Sequence, residues 1–140
     1  MTDTFEKTYR DWSIDAGTHK YEGITLNEVE QNLYAIQDQE QDFVILFPLN
    51  AISIDKKQYN FVQVCCDEDT DLLHIEFSVT NDGDQGAILY GKNEQGHQEV
   101  LQIIEDFIAH HKVPPLDSWE IVLDLRPCLL YTSPSPRDTR

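Results

Sequence analysis

The sequence predicts an α+β domain: a mainly antiparallel sheet of about five or six strands with two helices. The expected order is strand, helix, four strands, helix, strand, the first strand being the least marked. Three observations carry this reading. Between residues 59 and 91, three β-type runs are separated by two acidic turns, the pattern of an antiparallel meander. A stretch with helical spacing lies on either side of that meander, near 24–37 and 94–111. No internal repeat or composition break divides residues 1–127, so a single domain is expected.

Residues 9–14 are aromatic-rich and read as an edge strand or an arm packed by Trp12, while 15–23 are polar and turn-like. Thr25 then opens the clearest helix in the chain. Its hydroxyl can accept from the backbone of Glu28 while the Glu28 carboxylate returns to the backbone of Thr25, a capping box. Ile24 and Val29 sit where a hydrophobic staple belongs. Leu26, Val29, Leu33 and Ile36 recur at helical spacing and mark one face. The run Phe43-Val44-Ile45-Leu46-Phe47 is apolar at every position, which predicts a central strand covered on both faces and stopped by Pro48. Residues 51–54 read as a short strand or a turn before the Asp55-Lys56-Lys57 bend.

In the meander, Phe61, Gln63 and Cys65 share one face of the first strand, and Val62, Val64 and Cys66 the other. The second strand alternates: Leu73, Ile75, Phe77 and Val79 are apolar, while Leu72, His74, Glu76 and Ser78 form a wetter face. The third strand, 87–90, is short. The second helix is expected over 94–111, burying Val100, Leu101, Ile104, Phe107, Ile108 and His111. Glu94 and Glu99 near its start, and His110, His111 and Lys112 at its end, suit the helix dipole. Pro114 and Pro115 end it. In the last strand Trp119, Ile121, Leu123 and Leu125 are expected to alternate inward.

The 140 residues carry 26 Asp and Glu against 10 Lys and Arg, a formal net charge of −16. That balance argues against nucleic-acid phosphates and anionic membrane surfaces as partners, and suits a basic protein. No run is long and apolar enough to span a bilayer, and the first residues lack a secretory signal core, so a cytoplasmic location is expected. Cys65 and Cys66 are adjacent and point to opposite faces of a strand, which leaves them as reduced structural cysteines. The run from Cys128 to Asp138 matches the translation of a transposase adapter from a sequencing library. Residues 128–140 are therefore expected to be a non-native tail, with the natural chain known only to about Pro127.

Few constellations suggest chemistry. His74 and Glu76 share one strand face two residues apart, a pair able to do general acid–base work. Gln63 would join them only if the hairpin register slipped by one, and no nucleophile or oxyanion site accompanies them. His97, His110 and His111 raise the thought of a metal, but adjacent helical histidines diverge by about 100°. The acidic turns Asp67-Glu68-Asp69-Thr70-Asp71 and Asn81-Asp82-Gly83-Asp84 raise calcium as a ligand, but the first lacks the glycine and the terminal bidentate glutamate of an EF-hand loop and no helices flank it, so both read as solvated hairpin turns. No phosphate-binding loop or nucleophile elbow is present, and no cofactor or metal is expected.

A resemblance adds to these readings. Phe61-Val62-Gln63-Val64 is followed by Leu73-His74-Ile75-Glu76-Phe77. Then come a helix ending Ile104-Glu105-Asp106-Phe107-Ile108, a proline break, and a strand opening Trp119-Glu120. This half of the chain resembles small immunity proteins of bacterial polymorphic toxin systems, in the group that accompanies deaminase toxins. The resemblance implies a non-catalytic protein that neutralises a toxin by direct binding in the cytoplasm. The candidate contact surface for such a basic partner is Asp67, Glu68, Asp69, Asp71, His74, Glu76, Asp82 and Asp84, with Tyr90 as an anchor. The alternatives are a small enzyme using His74 and Glu76, or a subunit of a larger assembly.

Overall fold

The computed structural model describes residues 6–66 and 72–126. Asp67, Glu68, Asp69 and Asp71, and the tail 128–140, lie outside them. Within them the fold is α+β, with an eight-stranded antiparallel sheet and two α-helices. The strands are β1 Tyr9–Asp15, β2 Lys20–Ile24, β3 Phe43–Pro48, β4 Ile52–Ile54, β5 Lys57–Cys66, β6 Leu73–Asn81, β7 Ile88–Gln95 and β8 Glu120–Asp124. The helices are α1 Leu26–Gln37 and α2 His97–His110. The sheet runs β2-β1-β3-β5-β6-β7-β8, with β4 beside β3 along the same edge of β5. No helix among the described residues is long and apolar enough to cross a membrane.

The first helix forms as its sequence dictates. Thr25 Oγ1 accepts from the Glu28 amide at 3.1 Å, and Glu28 Oε1 accepts from the Thr25 amide at 2.8 Å. Leu26, Val29, Leu33 and Ile36 are fully buried. Both helices lie on one face of the sheet, against Val62, Val64, Leu73, Ile75, Phe77 and Val79. The centre of this core is aromatic: Phe77 and Phe107 meet edge to face at 5.1 Å, Trp12 reaches Phe107 at 5.2 Å, and Trp119 reaches Phe77 at 5.7 Å. Each such pair adds about 0.5–1.5 kcal/mol beyond the area it buries.

The sheet departs from the expected one in four places. It has eight strands, because 15–23 hold a hairpin as well as a turn, which adds β2, and because 52–54 form β4. The Ala16 amide donates to the His19 carbonyl at 3.0 Å, Gly17 takes a left-handed φ of 84°, and β2 follows as a polar edge strand with little apolar alternation. That makes β1 an interior strand, paired on both sides. Next, β7 runs on to Gln95, so α2 begins at His97 and His111 leaves its buried face to become a left-handed C-cap. The Glu99 carboxylate occupies the space a Cβ at the N-cap Gly96 would need. Third, β3 is central but covered on one face only: Val44 and Leu46 are buried, whereas Phe47 is exposed.

The fourth concerns β8. Trp119 is buried as expected, but Ile121, Leu123 and Leu125 are not; Ile121 is 53% and Leu123 49% exposed. The strand is the sheet's edge, and its register steps between Leu89↔Leu123 and Tyr90↔Ile121, leaving Val122 as a bulge residue. The bulge breaks the period-two alternation, so the pattern no longer assigns faces.

Candidate functional site: the helix-free face of the sheet

The face of the sheet away from the helices carries the chain's distinctive side chains. Pairing sets them in rows. Phe61, Ser78, Leu89 and Leu123 stand successively opposite one another on β5, β6, β7 and β8. The next row runs Ile45, Gln63, Glu76 and Gly91. Gln63 therefore pairs with Glu76 in register, without the slip the sequence suggested, because the β5–β6 ladder places Cys65 opposite His74. Gly91 is needed here: a Cβ would lie 2.6 Å from Val122 Cγ2 and 2.9 Å from the His74 ring. The missing side chain lets Val122 and His74 close over that position.

The polar side chains of β6 are partnered along the strand. The Asn60 amide donates to Ser78 Oγ at 3.2 Å and to Thr80 Oγ1 at 3.1 Å. The Gln63 amide donates to Glu76 Oε1, and His74 Nε2 donates to Glu76 Oε2 at 2.7 Å. The other ring nitrogen, Nδ1, meets the side-chain oxygen of Asn93. These bonds explain an unexpected burial. The sequence marks His74, Glu76 and Ser78 as a wet, outward surface, yet Glu76 is 8% exposed and Ser78 only 2%. Burying a carboxylate requires partners for its oxygens, and Gln63 and His74 provide them. Chemically this is a closed network that orients its members.

Around it lies partly exposed apolar surface: Phe43, Ile45 and Phe61 are half-buried, Phe47, Val122 and Leu123 exposed. Register puts Asp15 and Glu22 on the same face at one margin, opposite Ile45 and Ser13 respectively, and Glu120 at the other, opposite Gly91. Phe61, Leu89, Val122 and Asn93 were missed as site residues. The alternation around Gln63 and Tyr90 could have found the first two; Val122 depends on the bulge and Asn93 on its pairing with His74.

The structure does not bring the other candidate residues together. Tyr90 packs against the core on the helix side, away from His74 and Glu76. Asp82 and Asp84 lie beyond Asn81, at the end of β6 remote from His74, and Asp84 Oδ2 is 3.7 Å from the Arg126 guanidinium. Arg126 also clasps Asp124, and these hydrogen bonds hold the Asp124 carboxyl down at about 2. His97 meets the Tyr34 hydroxyl at 3.0 Å at the start of α2, remote from His110 at its end. Among the described residues no group of three or more His, Cys, Asp or Glu side chains is placed to hold a metal ion. No family model, curated protein or solved structure matches this chain.

Proposed function

We propose that the chain is a non-catalytic binding protein of the immunity type, which neutralises a basic toxin by covering it with the helix-free face of its sheet. The observation that carries this reading is the layout of that face. A patch of partly exposed apolar side chains, from Phe47 and Phe61 to Val122 and Leu123, surrounds a buried and internally satisfied polar network. A soluble domain rarely leaves such a patch without a use, and an apolar centre with a polar rim is the anatomy of a protein interface. The net charge of −16 and the exposed carboxylates of Glu22 and Glu120 at the margins select a basic partner.

The alternative, an enzyme working through His74 and Glu76, draws on their 2.7 Å contact. It is the weaker reading, because Glu76 is buried and both its oxygens already accept hydrogen bonds. The test is co-expression with the product of the reading frame next to its own gene. Protection from that product's toxicity and co-purification with it are expected, and Phe61→Asp should abolish both. If Phe61→Asp remains folded and still protects, the helix-free face is not the contact surface. If the wild type neither protects nor co-purifies, the inhibitor reading fails.

A further inference from the structure

The turn between β6 and β7 holds a backbone step found nowhere else in the chain. Asp82-Gly83 is the only Asp-Gly in the sequence, and there is no Asn-Gly. In such a step the aspartate carboxyl and the next backbone nitrogen can close a five-membered ring, and glycine puts no side chain in the way. Both residues are exposed. Gly83 has a left-handed φ of 84°, and a Cβ added there would meet nothing within 4 Å. Exposed tips of small and polar residues are where a folded chain is most readily attacked.

Hydrogen bonding singles out the same step. The turn is closed by the Asp84 amide, which donates to the Asn81 carbonyl at 3.0 Å, and no backbone acceptor among the described residues takes the Gly83 amide. After several other aspartates the amide is held. Ala16 donates to the His19 carbonyl at 3.0 Å, Gln39 to Ile36 at 3.0 Å and Leu125 to Ala87 at 2.8 Å, while Phe107 lies inside α2. Each of those nitrogens must give up a backbone bond before it can react, and a buried amide left without one is costly. The Gly83 nitrogen has no such bond to lose.

We propose that Asp82-Gly83 is a covalent modification site, at which Asp82 converts to isoaspartate without an enzyme. The Gly83 nitrogen attacks Asp82 Cγ. A C–N bond forms, the nitrogen gives up its proton, and a carboxyl oxygen leaves as water, closing a succinimide. Water then adds back. Opening at the Cγ carbonyl restores aspartate; opening at the former main-chain carbonyl routes the backbone through Cβ and Cγ and frees the α-carboxylate. One water is lost and one regained, so mass and net charge are unchanged. The backbone is one methylene longer, which displaces the Asn81–Asp84 hydrogen bond and shifts Asp84 from its place 3.7 Å from the Arg126 guanidinium. The modification therefore loosens the corner of the sheet where β6 ends, remote from His74.

The test is to hold the folded full chain at neutral pH and physiological temperature and sample it over weeks by peptide mapping. The peptide spanning Asp82 should split into two forms of equal mass, and the new form should accept a methyl group from S-adenosylmethionine in the presence of an isoaspartyl methyltransferase. The peptide containing Asp117-Ser118, which lies in a short 3₁₀ turn, should stay single. Asp82→Glu should abolish the second form, because a six-membered ring closes far more slowly, while Gly83 keeps the turn. Asp82 is exposed, so the variant should fold, which its melting curve checks. A peptide that stays single at Asp82 overturns the proposal. So does isomerisation at Asp117 as fast as at Asp82, a second form that persists in Asp82→Glu, or isomerisation seen only in denaturant.

Discussion

Gln63 and Glu76 stand directly opposite each other on β5 and β6, and the Gln63 amide donates to the Glu76 carboxylate. The pair sits in the middle of a sheet face that no helix covers, and it keeps a buried carboxylate satisfied. Gln63→Ala should destabilise the fold by about 1–3 kcal/mol, because one carboxylate oxygen loses its donor. The double variant Gln63→Leu with Glu76→Leu should recover much of that loss, since an apolar pair needs no partners. Chemical denaturation of the two variants measures both effects. A double variant no better than Gln63→Ala would mean the two residues are not energetically coupled.

Trp119 closes the core at the other end. It is buried against Phe77, which in turn meets Phe107. Trp119→Ala should cost about 3–5 kcal/mol, as large aromatic truncations in cores do. Ile121→Ala, two residues on but half exposed at the sheet edge, should cost less than 1 kcal/mol, near the usual range for surface changes of about 0.5 kcal/mol. Equal losses in the two variants would mean that β8 is packed as tightly as the strands inside the sheet.

The two-residue turn between β4 and β5 holds a third expectation. Ile54 pairs with Lys57, and the residues between them, Asp55 and Lys56, are both left-handed. That geometry favours Asn-Gly or Asp-Gly, and a lysine in the second place is strained. Lys56→Gly should therefore raise stability, by about 1 kcal/mol at most. A lower melting temperature would show that the Lys56 side chain makes a contribution exceeding its backbone strain.

Asp124 supplies a pH signature. Its carboxyl is held at about 2, below its ordinary 3.8, chiefly by hydrogen bonds from Arg126. A folded-state value below the unfolded one means that the pair's contribution is complete above about 3.8 and is lost as the pH falls through about 2. Both side chains are exposed, so solvent screens the pair and the change in stability is small. The carboxyl carbon resonance of Asp124 follows the titration, and Arg126→Ala should return it toward the usual carboxylate range.

Much of this fold was legible because local signals agreed with the tertiary answer. Thr25 and Glu28 are the right residues at the right spacing for a capping box, and the alternation from Leu73 to Val79 names the buried face of β6 correctly. What was illegible depended on a neighbour. The extension of β7 through Gly91 rests on pairing with β6 as far as Leu73 opposite Gln95, and a glycine is needed there because Val122 and the His74 ring fill the space of a Cβ. The bulge at Val122 exists only relative to Leu89 and Tyr90 on β7. The burial of Glu76 rests on Gln63, thirteen residues earlier. Periodicity reports which residues share a strand face, but not whether cross-strand partners will bury a polar one.

The final expectation separates how the proposed partner arrives from how it is held. Attraction from a surface with a net charge of −16 should act mainly on association, raising it from roughly 10⁵–10⁶ toward 10⁸–10⁹ M⁻¹s⁻¹ at low salt. Neutralising Asp67, Glu68 and Asp69 should then slow association and flatten its dependence on ionic strength, while dissociation stays nearly unchanged. Truncating the apolar patch should do the reverse. Phe61→Ala and Leu89→Ala lie in one cross-strand row with Ser78 between them, and each should speed dissociation, by about tenfold if it is an anchor. Stopped-flow association and surface-capture dissociation against the neighbouring gene's product give the two rates. An association rate indifferent to salt and to neutralisation would remove electrostatic steering. Dissociation unmoved by both patch variants would transfer the contact surface elsewhere, with the acidic exposed side of α1 between Glu28 and Glu40 the next surface to probe.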